Sequence, residues 1–180
     1  VRRSGLIAIT LASGDELRFA RLTRGKDELI LLTRRGQAIR FSEKDVRAMG
    51  RQAAGVKAMR LGKNDEIVGM DTIKNQSLSV NRKLLVVMEN GFGKQTSLKE
   101  YKKQKRGGSG IKTARITPKT GEVVSGYIVD EEVEELIAIS RKGQVIRTTL
   151  AAIPSLARAT QGVRIMRLDE GDAVASITTL

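Results

Sequence analysis

Short apolar runs rich in Leu, Ile and Val alternate along this chain with turns of Gly, Asp and Asn. Runs this brief, bounded by turn residues, predict β-strands rather than helices. The first candidate covers residues 5–11, followed by a Ser13-Gly14-Asp15 turn and a second run at 16–20. Next come residues 28–33, the turn Arg34-Arg35-Gly36, and residues 37–41. A longer polar loop, 42–54, leads to residues 55–61, which repeat the opening run.

The whole unit recurs. Residues 83–88 and 135–140 match 28–33, and each is followed by two polar residues and a glycine: Gly36, Gly91 and Gly143. Each of these glycines precedes a second one, Gly55, Gly110 or Gly162, by the same 19 positions. A glycine after two polar residues suits the left-handed position that closes a hairpin with a bulge. After the second glycine comes another short run and a turn at 62–65, 117–122 or 169–172. A period near 50 with four short strands per unit is the pattern of a propeller-like array. The predicted fold is therefore all-β, about three and a half four-stranded blades. Residues 1–26 form the trailing half of one blade, and full blades fall at 27–73, 82–129 and 134–180. WD and kelch propellers fit poorly, because the chain has no Trp, no His and 3% aromatic residues.

Composition narrows the function. At 180 residues and 40% hydrophobic the chain can bury a core, while 33 Lys and Arg against 20 Asp and Glu give a net charge of +13. Such a charge favours nucleic acid over a membrane surface, and no apolar run approaches a membrane span. The absence of Cys and His removes thiol nucleophiles, Ser-His triads, disulfides and nearly every structural zinc site, so no catalytic or metal site is expected. Tyr101 and Tyr127 have no acidic cluster beside them and read as a residue next to the basic track and a blade-core residue. The acidic run 130–135 reads as a solvated turn between blades. The abrupt start in Val1-Arg2-Arg3-Ser4-Gly5 reads as a piece of a longer protein.

The basic residues concentrate between positions 94 and 119, where nine Lys or Arg face one acid, Glu100. Within this segment lies Gln104-Lys105-Arg106-Gly107-Gly108-Ser109-Gly110, whose glycines allow tight turning and main-chain N–H donation to an anion. A basic residue three or four positions before the second glycine recurs as Arg51, Arg106 and Arg158, with Arg2 and Arg3 before Gly5. A cation returning at one structural position describes a curved positive track. Lys105 and Arg106 are the first candidates for nucleic-acid contact, then Lys102, Lys103 and Lys112, then Arg47, Arg51, Arg158 and Lys94. Arg40 and Arg147, in matching strands, are either blade-edge contacts or solvated strand faces. Phosphate contact needs Lys and Arg without base reading, and few aromatics disfavour single-strand stacking.

The heptapeptide QKRGGSG resembles the gyrase A box, typified by QRRGGKG. The surrounding units, including residues 41–51 and Asn90-Gly91-Phe92-Gly93-Lys94, resemble the β-pinwheel blades of the DNA gyrase A C-terminal domain family. Family members carry the box in their first blade, whereas here it follows a blade and a half. The resemblance therefore implies the C-terminal half of a six-bladed β-pinwheel, with a second, box-like copy. It further implies duplex DNA wrapped around a basic rim and presented to the breakage-reunion core of the same polypeptide. The gyrase B partner in an A2B2 assembly would supply ATP hydrolysis, so ATP and Mg would be used by the rest of a cytoplasmic type IIA topoisomerase. The topoisomerase IV counterpart of gyrase A, with a related pinwheel usually lacking the box, is the neighbouring alternative. A propeller serving as a protein-interaction scaffold is the alternative from another class; it calls for exposed aromatic or Leu anchors.

Overall fold

The computed structural model describes residues 5–74, 81–130 and 132–180. Arg2, Arg3 and Ser4 of the opening basic motif, and Glu131 of the acidic run, lie outside the described residues. Eleven strands form among the described residues. In chain order they are β1 (Glu28–Thr33), β2 (Gln37–Ser42), β3 (Ile67–Ile73), β4 (Lys83–Met88), β5 (Phe92–Ser97), β6 (Ile111–Lys112), β7 (Val123–Val129), β8 (Glu135–Ser140), β9 (Val145–Thr149), β10 (Val163–Arg164) and β11 (Val174–Thr179). All sheet pairing between them is antiparallel. Three sheets result, ordered β3-β1-β2-β6, β10-β5-β4-β7 and β11-β8-β9. This is the all-β, propeller-like array of four-stranded units expected from the repeat.

Each blade is built on a hairpin whose glycine takes positive φ: +77° at Gly36, +76° at Gly91 and +88° at Gly143. The core lies between blades. Ile30 and Leu32 of the first sheet pack with Leu84, Val86 and Met88 of the second. Leu85 and Val87, on the opposite face of β4, pack with Leu136 and Ala138 of the third. The second sheet is thus covered on both faces, which is why β4 reads as an unbroken apolar run rather than an alternating one. The inner strands β3, β7 and β11 meet at the hub; there a Cβ on Gly69 would stand 3.3 Å from the Gly126 carbonyl oxygen.

The outermost strand of a sheet is not supplied by its own unit. β6, which follows the second glycine of the second unit, pairs with β2 of the first, and β10 of the third unit pairs with β5 of the second. At each exchange, the hairpin glycine of one unit meets the strand that follows the second glycine of the next. The Gly36 carbonyl accepts from the Thr113 and Ala114 amides at 2.8 and 3.2 Å, and the Gly91 carbonyl accepts from Ile165 and Met166 at 2.8 and 3.1 Å. A Cβ on Gly91 would overlap the Met166 carbonyl oxygen. On the other side of each junction, a Cβ on Gly110 or Gly162 would lie 2.5 Å from the carbonyl oxygen of Ala38 or Gly93. Both glycines are the places where two backbones touch.

The exchange also corrects three expected strands. Residues 5–11, 16–20 and 55–61 carry strand-like composition but form no ladder. The counterparts of 5–11 and 55–61 become strands by adding to the preceding unit's sheet, whereas those of 16–20 (β3, β7 and β11) pair with the first hairpin strand of their own unit; no such partner strand precedes these segments among the described residues.

Candidate nucleic-acid interface

The glycine-rich box is held against the preceding blade. The Gln104 amide donates to the Arg40 carbonyl at 2.7 Å, the Gly107 amide donates to the Ala58 carbonyl at 2.6 Å, and the Arg60 amide donates to the Gly108 carbonyl at 2.8 Å. The expected anion-binding turn is therefore corrected in part: the amides of Gln104 and Gly107 already have carbonyl partners. Gly107 and Gly110 need glycine for their backbone, at φ +84° and +73°, whereas Gly108 has room for a side chain and Ser109 is exposed.

Two of the three cations that stand four positions before the second glycine, Arg106 and Arg158, are struts. Arg106 donates through Nε to the Asp45 carbonyl at 2.7 Å and through Nη1 to the Lys57 carbonyl at 3.1 Å. Arg158 repeats the second bond one blade later, Nη1 to the Lys112 carbonyl at 3.2 Å, with Nε 3.9 Å from the Glu100 carboxylate. Lys57 and Lys112 stand at the same place in their units, two residues after the second glycine. What the sequence pattern marked as a positive track is, at Arg106 and Arg158, a blade-to-blade tie.

Lys94 is also displaced from the expected role. Its side chain is fully buried in β5, and its ammonium donates to the Ala157 carbonyl at 2.7 Å, to the Arg158 carbonyl and to Thr160 Oγ1 at 3.1 Å. Burial lowers its pKa to about 8, and nothing of it faces a phosphate. Tyr101 is likewise internal rather than beside the track: its hydroxyl is hydrogen-bonded to the Thr113 hydroxyl at 2.5 Å, and burial raises its pKa. Tyr127 packs against the core between the second and third blades, as expected.

Other expected contacts remain on the surface. Lys102, Lys105, Lys112, Arg47 and Arg51 are exposed, and their side chains bond to no described residue. Lys103 is exposed too, with Glu28 3.3 Å away.

Five further cations escaped the sequence reading and form one set with Lys112. Lys57, Lys112 and Arg164 fall two residues after the second glycines, and Arg60, Arg115 and Arg167 fall five after them. All six are exposed. Lys112 and Arg164 sit on the exchanged strands β6 and β10, the sheet edges farthest from the hub. Arg164 and Lys119 both stand 5.5 Å from the centre of the Phe92 ring, an arrangement that anchors cations without neutralising them. Counting from the second glycine, the register that defines the repeat, was the signal that could have found this set.

Comparison with known proteins agrees with this architecture. The family model described as the DNA gyrase C-terminal domain, beta-propeller, matches residues 1–24, 27–74, 83–130 and 134–180. The DNA gyrase A protein of Staphylococcus epidermidis is 41% identical over 177 residues, 98% of this chain and 19% of that protein. Its Staphylococcus aureus counterpart is also 41% identical, over 98% of this chain and 20% of its own length. The chain thus spans about a fifth of these relatives. A solved structure of a DNA gyrase A C-terminal domain superposes with a TM-score of 0.87 at 28% identity, over 98% of this chain and 58% of that one. A topoisomerase IV C-terminal domain shares the fold, with a TM-score of 0.87 at 24% identity over 96% of this chain and 52% of that one. Repeat, strand exchange and coverage coincide: the chain belongs to the DNA gyrase A C-terminal domain family of β-propellers.

Proposed function

We propose that this chain binds duplex DNA through its phosphates, without reading sequence, along the rim of its blades, and bends the duplex around that rim. The observation that carries the reading is the pair of exposed cations repeated at fixed offsets on three successive units: Lys57 and Arg60, Lys112 and Arg115, Arg164 and Arg167. Lys105, Lys102, Lys103, Arg47 and Arg51 add charge around the first two. Phosphate contacts supply affinity by releasing counterions, and they carry no base information. Bending one site by 40–90° costs roughly 1–6 kcal/mol, so contacts must be spread over an arc rather than gathered in one patch. Phe41, Phe92 and Tyr101 are buried, which leaves them unable to stack on the bases of a single strand.

Within a gyrase A polypeptide, such a domain would present a bent segment of DNA to the breakage-reunion core of the same polypeptide. The gyrase B partner in an A2B2 assembly would hydrolyse ATP, with Mg, to drive negative supercoiling. In this reading the chain's own residues hold and shape the DNA and perform no bond-breaking step.

The test is equilibrium binding to unrelated duplexes over a series of salt concentrations. Binding of equal strength to each sequence is expected, with a steep salt dependence. The Lys112→Ala/Arg115→Ala double variant should lower the slope of log K against log salt by about 2, close to one unit for each phosphate contact removed. No binding at low salt, or an unchanged slope, would overturn the reading. Bending is read separately, by ligating nicked circles with bound protein and measuring the linking number.

A further inference from the structure

The two blade junctions repeat one side-chain contact with two different residues. Four positions after the hairpin glycine stands Arg40 in the first unit and Gln95 in the second. Arg40 donates through Nη1 to the carbonyls of Leu98 and Tyr101, both at 3.1 Å. Gln95 donates through Nε2 to the carbonyls of Leu150 and Ile153, at 2.6 and 2.8 Å. These carbonyls are equivalent: they open and close the short 3-10 turn after the outer hairpin strand, Leu98–Glu100 in one blade and Leu150–Ala152 in the next. The main chain at the same positions is tied forward as well, the Gln104 amide to the Arg40 carbonyl at 2.7 Å and the Leu156 amide to the Gln95 carbonyl at 2.8 Å.

The neighbouring strand is adapted to whichever donor is present. Arg40 donates Nε to the Glu28 carboxylate at 2.6 Å, and Arg147, the third residue of the series, donates Nε to Glu135 at 2.7 Å. Beside the neutral Gln95 the diagonal position that Glu28 and Glu135 hold is Lys83, not an acid. The acid holds the guanidinium in one orientation and frees its remaining donors for the following blade.

We propose that Arg40 and Gln95 are the positioning residues that set the angle between successive blades, and through it the path of bound DNA. The inference rests on the DNA-bending reading above for its second half only. A rim assembled from separate blades delivers a curvature equal to the sum of its junction angles. One donor gripping both ends of the next blade's turn fixes that angle without itself meeting DNA.

Three variants test it: Arg40→Met and Gln95→Met, which keep bulk and remove the donors, and Arg40→Gln, which copies the second junction into the first. Small-angle scattering of the DNA-free chain reads the blade arrangement. Binding to a short duplex reads affinity, and linking number after ligation reads curvature per bound protein. Both Met variants should alter the scattering profile, hold the dissociation constant within about twofold and at least halve the linking-number shift. Arg40→Gln should match the parent in all three, with Glu28 retaining Lys103 as its partner. An unchanged scattering profile in the Met variants, or an Arg40→Gln that behaves like Arg40→Met, overturns the inference. Affinity and linking number falling together would reduce the donors to general stabilisers and overturn it as well. A parent that shifts no linking number, with scattering altered in the Met variants, overturns the DNA-bending reading and leaves the blade-angle role standing.

Discussion

At Lys94 a charged side chain occupies the position that Ile39 and Ile146 hold in the neighbouring blades. Burying an ammonium is unfavourable unless acceptors replace its water, and here two carbonyls and a hydroxyl of the 157–160 loop do so. The remaining cost appears as a lowered pKa, about 8 against an ordinary 10.5, caused first by desolvation. The sign follows from proton counting. Between about pH 8 and 10.5 the unfolded chain holds one more proton at this residue than the folded chain, so raising pH through that window stabilises the fold. Below it both states are protonated and the contribution is constant. Thermal melts of the parent and Lys94→Ile, which copies the other two blades, should therefore differ by a fixed offset below about pH 8. The parent should gain on the variant from there to 10.5. A difference that stays flat across the window, or slopes the other way, would show that the ammonium is not held in this dry site.

The hairpin-to-exchanged-strand junction is the element on which the array depends, and its two kinds of glycine separate the forces involved. Gly143 has φ +88° with nothing within 4 Å of a built Cβ, whereas Gly91 has φ +76° and a carbonyl oxygen where a Cβ would go. Gly143→Ala should lose only the left-handed penalty, about 1–2 kcal/mol. Gly91→Ala must in addition push β10 off β5, and should lose distinctly more in a urea titration; equal losses would mean that the exchanged strand yields easily. Much of this element was legible beforehand. The runs at 28–33, 83–88 and 135–140 became β1, β4 and β8 with the same bounds, because their composition and the glycine turn act locally. The exchange was not legible, because a strand's composition says nothing about which sheet edge it joins. The same limit applies at Arg106 and Arg158: a recurring guanidinium suits a carbonyl and a phosphate equally, and only the position of Lys57 and Lys112 decides between them. Lys94 was misjudged for the converse reason, since nothing in a basic stretch shows which lysine points inward. Arg60, Arg115 and Arg167 were within reach, but only by counting forward from the second glycine into segments that read as plain strands.

Across the whole molecule, curvature depends on where the rim cations stand as well as on how many there are. A duplex pressed against a convex body is held off at the middle by the body itself and drawn in at the ends by charge. The end contacts must then supply the bending energy, roughly 1–6 kcal/mol for 40–90°, while central contacts add affinity without adding bend. Two double variants remove equal charge from these two places. Arg60→Ala/Arg167→Ala takes one cation from the first unit and one from the third, and Lys112→Ala/Arg115→Ala takes two from the unit between. Both should reduce the salt slope of binding by about 2. Their saturated complexes should differ in shape. Energy transfer between dyes at the two duplex ends should fall toward the free-DNA value in the end pair and stay near the parent value in the middle pair. Equal transfer in the two would mean that the duplex is bent locally at one blade. A larger loss in the middle pair would place the bend at the box-bearing unit, making Lys112 and Arg115 the residues that shape the DNA.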